Sequence, residues 1–297
     1  MASLRQIRSS LRSVKNTKQI MRAMQLVSAS KLKRAQGRLM QARMVLEFLD
    51  GLLERVLETA GHPERQRGTV TPGLDHPLCA RREGAESAVV IFTSDTGLCG
   101  SYNTNLLHLA DAHLRRDSAR PTHLVYIGKK GHRYFTKRGF PAAESFLDLA
   151  GRPDPAKAEA IGRSLIQRFL SGQVGSVDLI YSRFMSSMTY QPTIQRWLPV
   201  EVSPQSTVHS PQQEYIFEPS PERVFGDLLP RWALAKFQLI LLEAFTSEHS
   251  ARMIAMKNAT DNAEKLITDL TMQRNKIRQA SITKEISEIV GTAEALK

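Results

Sequence analysis

The stretch SVKNTKQIMRAMQLVSASKLKRA, residues 13–35, decides the fold of this chain. It contains no acidic residue, and residues 1–46 hold eleven Lys and Arg before the first carboxylate at Glu47. No proline precedes Pro63. Apolar or small side chains recur at steps of three, four or seven residues, at Ile7, Leu11, Val14, Met21, Met24 and Val27 (or Ser28). This spacing predicts a long amphipathic helix whose positive charge must face a negative surface.

The other end of the chain predicts a second long helix. Residues 231–297 contain no proline and one glycine, Gly291. Their apolar stripe is marked by Leu266, Leu270, Ile277, Ile286 and Ile289, joined by small residues such as Ala263 and Ser281. Two such stripes favour an antiparallel coiled coil between a first helical segment, 1–60, and a last one, 222–297. From periodicity alone, two unrelated helices packed on the middle of the chain are the alternative.

The middle of the chain, residues 86–202, has the pattern of an α/β domain. Apolar, β-branched runs at 87–95, 122–128, 176–184 and 192–202 alternate with helical patterns that begin near Asn105 and Pro155. Alternation of this kind predicts a mostly parallel sheet covered by helices, in a Rossmann-like arrangement. The Pro-rich polar segments 61–85 and 203–221 are predicted to be connections.

Candidate chemistry in this domain is weak. The loop from Ser94 to Gly100 follows a strand and precedes a helix, as does GKKG at 128–131, so their amides could bind a phosphate. Neither matches a nucleotide-binding motif, and tight-turn glycines explain both. No ordered set of Ser, His and Asp residues stands out, and the two cysteines, Cys79 and Cys99, form no C-x-x-C pair. The sequence therefore predicts no catalytic residue, no cofactor and no metal.

Composition narrows the class of partner. The net charge of +12 implies an acidic partner, which is nucleic acid, anionic lipid or an acidic protein surface. No run of eighteen apolar residues predicts a membrane span. A basic coiled-coil protein that binds nucleic acid is one alternative, but the first helix lacks stacking aromatics. The start MASLRQIRSS has no apolar core of a secretory signal; its Arg and Ser content mimics a mitochondrial presequence, although the basic pattern runs past residue 40 without a break.

Four motifs resemble the gamma subunit of F-type ATP synthases over essentially the whole chain. They are SVKNTKQIMRAMQLVSASKLKRAQ (13–36), SDTGLCGSYNTNL (94–106), EPSPERVFGDLLPR (218–231), and SEHSARMIAMKNATDNAEKLI (247–267) continuing into NKIRQASITKEISEIVGTAEAL (275–296). The resemblance implies a central rotor shaft without bond chemistry of its own. It also implies alpha and beta subunits of a catalytic hexamer, an epsilon subunit and a membrane c-ring as partners, and no nucleic acid.

The resemblance also implies which residues meet those partners. Met24 and Arg252 match positions near the beta contact loop, and Gln279, Thr283 and Glu285 match positions that meet the catch region of the hexamer. Asp95, Gly97, Leu98 and Gly100 match the loop of the foot domain. About twenty C-terminal residues are expected to extend beyond the coiled coil as a single helix. The expected location is peripheral, on the cytoplasmic face of a bacterial plasma membrane.

Overall fold

A computed structural model describes residues 4–60, 76–82, 86–116, 122–149, 151, 154–201 and 217–295. The predicted connections 61–85 and 203–221 lie largely outside these ranges. The described chain forms five helices and five strands in the order α1 Leu4–Ala60, β1 Ser87–Phe92, α2 Tyr102–Arg116, β2 Thr122–Ile127, α3 Lys129–Thr136, β3 Glu144–Phe146, α4 Pro155–Leu170, β4 Ser176–Phe184, β5 Tyr190–Leu198 and α5 Pro221–Ala295.

The chain divides into two compact units. The first, called the terminal unit here, comprises residues 1–30 and 252–297; the second, the sheet unit, comprises residues 31–251. In the terminal unit the Lys18 ammonium lies 2.9 Å from the Glu264 carboxylate and so joins α1 to α5. The pair, and the neighbouring charge of Arg22, lower the pKa of Glu264.

The fully buried positions of α1 fall on an alternation of four- and three-residue steps. This repeat runs through Ile7, Leu11, Val14, Lys18, Met21, Gln25, Ser28, Leu32, Ala35, Leu39, Ala42, Leu46, Leu49, Leu53 and Val56, all buried or half-buried, and further half-buried residues such as Met24 flank it. A repeat of 3.5 residues keeps one stripe on the same side of the helix over its whole length, and it is the period of left-handed supercoils. Of the two residues offered above, Ser28 is buried at 3% exposure and Val27 is 56% exposed. Val27 is one position off the repeat, which explains its exposure.

The stripe expected on α5 needs a similar correction. Leu266 is 47% exposed, while its neighbour Ile267 is half-buried and lies on the repeat with Ala263 and Leu270. Ile286 and Ile289 are 55% and 67% exposed. From Arg278 to Thr292 every side chain of α5 is exposed, so this stretch packs on nothing in the described chain. The apolar spacing of the sequence continues through this stretch, but no described part of the chain packs against it.

The sheet unit is built on a mixed sheet with the strand order β3-β2-β1-β4-β5. The first four strands in chain order are parallel, and β5 pairs antiparallel with β4 at the edge. On one face, Val90 and Phe92 pack with α4 and with the Phe237 region of α5. On the other face, Val89 and Ile91 pack with α2 and with Phe135 of α3. Successive side chains of β1 thus point to opposite faces of the sheet and belong to two separate hydrophobic cores.

Two contacts in the sheet unit fix the direction in which its parts of α1 and α5 run. Arg43 of α1 pairs with Glu243 of α5 at 2.7 Å. About two turns after Arg43 on α1, the Asp50 carboxylate accepts a hydrogen bond from the indole of Trp232, which precedes Glu243 on α5. Because the number rises on one helix as it falls on the other, the two helices are antiparallel here. The strand bounds in this unit are shorter than expected for 87–95 and 192–202, and α3 and β3 were not predicted.

Candidate partner-binding sites

The first predicted pair of site residues lies in the terminal unit. Met24 is half-buried on α1, and Arg252 is 8% exposed on α5. Arginine is one of the side chains least often buried without a partner, so a buried Arg252 is held by interactions within the protein. Both residues belong to the terminal unit.

The second predicted set lies on the exposed end of α5. The Thr283 hydroxyl donates to the Gln279 carbonyl at 2.9 Å, and the Glu285 carboxylate accepts from the Ser281 hydroxyl at 3.3 Å. These bonds stay within one turn of the same helix. The Ser287 and Thr292 hydroxyls bond back to α5 carbonyls in the same way. The hydroxyl groups of Ser281, Thr283, Ser287 and Thr292 therefore already donate hydrogen bonds within the helix, and a partner does not need to accept from them.

The third predicted set lies in the sheet unit, in the loop that follows β1. The Asp95 carboxylate accepts from the backbone N–H groups of Lys129 at 3.1 Å and Asp148 at 3.2 Å. Leu98 and Gly100 have positive φ angles of 62° and 58°. Leu98 is 60% exposed, so a strained turn presents an apolar side chain to solvent. The turn is anchored by Asn103, whose amide group bonds to Ser94 and Cys99.

The first amides of α3 are occupied by this loop. The N–H of Lys129 donates to Asp95, that of Lys130 to the Ser94 carbonyl at 3.1 Å, and that of Gly131 to the Thr93 hydroxyl at 2.8 Å. A phosphate cradle at a helix start needs these donors free. The GKKG segment therefore acts as a structural clamp between β1 and β2, and the structure favours the tight-turn explanation of its glycines.

Sequence reasoning missed a basic concavity on α3. A cavity of about 500 Å³ is lined by Asp95, Lys129, Lys130, His132, Arg133, Thr136, Lys137 and Leu147. Lys129 is neutralised by Asp148, which together with its hydrogen bond raises the pKa of that ammonium. The signal was available, because residues 129–138 carry five Lys and Arg and no acidic residue. Among the described residues no group of His, Cys, Asp and Glu could hold a metal ion.

Helices of the described chain are also too polar to cross a membrane. The predicted interaction residues thus lie in one half-buried pair, one exposed helix end and one anchored loop. What they bind is indicated by comparison with known proteins.

A sequence profile of the ATP synthase family matches residues 3–296. The ATP synthase gamma chain of Symbiobacterium thermophilum is 42% identical over 97% of this chain and 96% of its own length. The gamma chain of Moorella thermoacetica is 40% identical over the full length of both chains. Among solved structures, a chain of the Euglena gracilis mitochondrial ATP synthase aligns with a TM-score of 0.66 at 17% identity, covering 99% of this chain and 94% of that one. A chain of the central stalk and c-ring of the Tetrahymena thermophila enzyme aligns with a TM-score of 0.58 at 24% identity, over 81% and 99%. These two alignments show the same fold.

Proposed function

The chain belongs to the ATP synthase family, as its gamma subunit in the central stalk, and from that premise we propose how it works. It turns as a rigid shaft that carries rotation between a membrane c-ring and the catalytic sites of an alpha/beta hexamer. Ion flow through the ring drives ATP synthesis, and hydrolysis drives the reverse turn. The observation that carries this proposal is an exposed helix end on a chain that resembles gamma subunits along its whole length.

The shaft itself is proposed to be an antiparallel coiled coil of the terminal helices. The 3.5-residue repeat of the fully buried positions of α1 supports it, since that period keeps a seam in place over many turns. The Lys18–Glu264 pair joins the two helices in the terminal unit. Antiparallel contacts at Arg43–Glu243 and Asp50–Trp232 support the same direction within the sheet unit. Polar seam positions such as Gln25 and Ser28 make the seam less regular than an all-leucine one.

The partner contacts are proposed to follow the family positions. Met24 lies near the beta contact loops with Arg252 close by, and Gln279, Thr283 and Glu285 meet the catch region of the hexamer. An exposed ion pair contributes on the order of 1 kcal/mol or less, so cations on the surface of a turning part make contacts that break and re-form readily. The loop of Asp95, Gly97, Leu98 and Gly100 belongs to the foot, beside the epsilon subunit and the c-ring. The subunit performs no bond chemistry, binds no cofactor and sits on the cytoplasmic face of a bacterial plasma membrane.

Purification from host membranes tests this role. A tagged copy of the chain is purified from detergent-solubilised membranes, and MgATP hydrolysis is assayed on the eluate. We expect alpha and beta subunits to co-elute with ATPase activity. We expect deletion of residues 278–297, or the double substitution Arg252→Ala and Gln279→Ala, to lower the ATPase activity, because the shaft loses its proposed contacts with the hexamer. The matched control is Gln273→Ala, an exposed glutamine on the same helix, which leaves activity unchanged.

The alternative of a nucleic-acid-binding protein gives a different eluate. If the chain elutes alone, or with nucleic acid and without ATPase activity, the proposed role is wrong. A chain that binds phosphates through its Lys and Arg releases nucleic acid steeply as salt rises. A shaft enclosed by a hexamer stays in the complex over the same range, since its capture does not depend on counterion release.

A further inference from the structure

Positive charge gathers in the basic concavity on α3, which is called the α3 concavity here. Its volume is about 500 Å³, within the range of roughly 300–1,000 Å³ that small-molecule sites occupy. Four of its lining residues are cations, Lys129, Lys130, Arg133 and Lys137, and one is a carboxylate, Asp95. The concavity is therefore large enough for a small ligand, and its charge is positive.

Three of these cations lie on one face of α3. Lys130, Arg133 and Lys137 are separated by steps of three and four residues, which return to the same side of a helix. The turn that ends α3 keeps helical angles at Lys137, with φ −66° and ψ −16°. The opposite side of α3 carries Gly131 and Phe135, which are buried. All three cations are exposed, so this face presents them together to the concavity.

The carboxylates beside this face are already engaged elsewhere. The Asp95 carboxylate accepts from the backbone N–H groups of Lys129 and Asp148. The Asp148 carboxylate pairs with the Lys129 ammonium. Residues 129–136 contain no Asp or Glu. Within the part of the chain that the structure describes, no ion pair engages the three cations of the face. Their charge is therefore available to a ligand.

Contacts within the sheet unit fix two sides of the concavity. The Lys130 ammonium lies over the loop that follows β1, since a Cβ added at Gly97 would lie 3.7 Å from its Nζ atom. The half-buried ring of His132 packs edge-on against Tyr126, with ring centroids 5.8 Å apart. Because these groups are held in place by the protein, a ligand does not have to order them, and binding costs less conformational entropy.

The donors of this face fit a phosphate group better than a carboxylate. A guanidinium such as that of Arg133 presents a planar fork of N–H groups that binds two phosphate oxygens, and ammonium groups add point charges. Three cations against the single carboxylate of Asp95 leave a charge of +2. A phosphomonoester carries about two negative charges at neutral pH and three acceptor oxygens. A carboxylate carries one charge and two oxygens, so it would leave part of this face unpaired.

We propose that the α3 concavity binds a phosphate group, carried either by a small soluble phosphate or by a phospholipid head group. Lys130, Arg133 and Lys137 bind its oxygens through their side chains. The first backbone amides of α3 take no part, because the loop after β1 occupies them. The inference goes beyond the role as a shaft, which requires no such ligand, and it can be tested separately from that role.

Binding measurements on the full-length chain test the proposal. The chain is titrated with inorganic pyrophosphate by calorimetry, and it is sedimented with phosphatidylcholine vesicles that contain or lack phosphatidic acid. The site variant is Arg133→Gln with Lys137→Gln. The matched control is Lys157→Gln with Arg223→Gln, which removes the same charge from exposed positions of the same unit. Circular dichroism melts confirm that both variants are folded.

We expect the site variant to lose at least about tenfold in affinity for the phosphate probe that binds, because its charge-assisted hydrogen bonds are removed. The control should stay within about twofold of the parent chain, since both variants keep the background binding of the other basic surfaces. A loss seen with pyrophosphate identifies a soluble phosphate as the ligand. A loss seen only with vesicles that contain phosphatidic acid identifies a phospholipid head group.

Three results would overturn the inference. The first is that the parent chain binds neither probe, and the second is that the site and control variants bind equally well. The third is that a poly-glutamate peptide binds as tightly as either phosphate probe and is equally sensitive to the site variant. In that case the α3 concavity accepts protein carboxylates, and phosphate has no special place there.

Discussion

Among the described glycines, Gly128 is the one at which an added Cβ would meet the shortest contact. Its φ is 97°, and a Cβ added there would lie 2.0 Å from the Thr93 carbonyl oxygen. Gly139 has a similar φ of 84° with open space around it. Both favour glycine, but Gly128 also joins β2 to the α3 clamp that holds Asp95.

The two glycines make a matched pair for mutation. We expect Gly139→Ala to lower the free energy of unfolding by about 1–2 kcal/mol, the cost of a left-handed conformation. Gly128→Ala adds a backbone clash and costs more than about 4 kcal/mol, or prevents folding. Urea denaturation followed by tryptophan fluorescence measures both. Equal losses at the two positions would mean that the Thr93 contact is not tight.

Glu243 is a buried carboxylate that depends on one cation. Its side chain is 6% exposed, whereas that of Arg43 is 35% exposed. Arg43→Met leaves this charge without its guanidinium, and we expect a loss of about 2–3 kcal/mol, the range for hydrogen bonds between charged groups. Adding Glu243→Gln removes the stranded charge, so the double variant should recover part of the loss. A double variant less stable than Arg43→Met alone would contradict this account, as measured by urea midpoints.

The long helices are stabilised by their buried stripe rather than by their exposed side chains. Leu39 of α1 is 2% exposed and lies on the 3.5-residue repeat, whereas Leu26 is 65% exposed. Leu39→Ala opens a cavity in the sheet unit and should cost about 2–5 kcal/mol. Leu26→Ala should cost less than about 0.5 kcal/mol in the isolated chain. Thermal melts followed by circular dichroism compare the two, and similar shifts in Tm would refute the assigned stripe.

The link between α1 and α5 in the terminal unit responds to pH. Because Lys18 lowers the pKa of Glu264 in the folded state, the unfolded chain binds more protons in acid. The stabilisation is present above the model-compound value of 4.5 and is lost as pH falls through the lower folded-state pKa. Glu264→Gln should lower Tm slightly at pH 7, and the difference from the parent chain should shrink as pH falls below 4.5. Asp269→Asn, an exposed carboxylate change on the same helix, should not reproduce this difference.

Elements with a long apolar period were predictable, and short ones were not. The two terminal helices, the strand 176–184 and the helix that begins at Pro155 follow directly from periodicity and from Asp154, which caps α4. The three-residue strand β3 and the eight-residue α3 carry too few residues for a period to appear. Register was the weaker prediction, since one position separates exposed Val27 from buried Ser28, and tertiary packing decides between them.

At the scale of the whole molecule, the charge of the free chain and that of its complex should behave differently. The chain carries +12, so the isolated protein should bind heparin or duplex DNA and be released steeply with salt. In the proposed complex the alpha/beta hexamer covers part of the same basic surface. We expect the purified complex to pass through a heparin column at a salt concentration that retains the free chain. Equal retention of both would show that the basic face stays open after assembly.

The candidate sites were less accessible to sequence reasoning than the fold. Periodicity says that Gln279 and Thr283 lie on a helix, but exposure of the whole stretch depends on where the partner helix begins, which is a property of three-dimensional register. The clamp of Asp95 on the α3 amides likewise joins residues 34 positions apart. The proposed roles of Arg252 and the helix end are tested by the deletion and substitutions described above.

The bare end of α5 also bears on how a cell keeps its subunits in proportion. Residues 278–295 make about 27 Å of helix at 1.5 Å per residue, with no buried side chain among those described. A helix supported only by its own hydrogen bonds is marginal in water and opens from its end. The C-terminal end of an unassembled subunit is therefore accessible to proteases, whereas in the proposed complex the hexamer encloses it. We therefore expect unassembled copies to be degraded faster than assembled ones, which would link the exposed length of one helix to the abundance of the subunit.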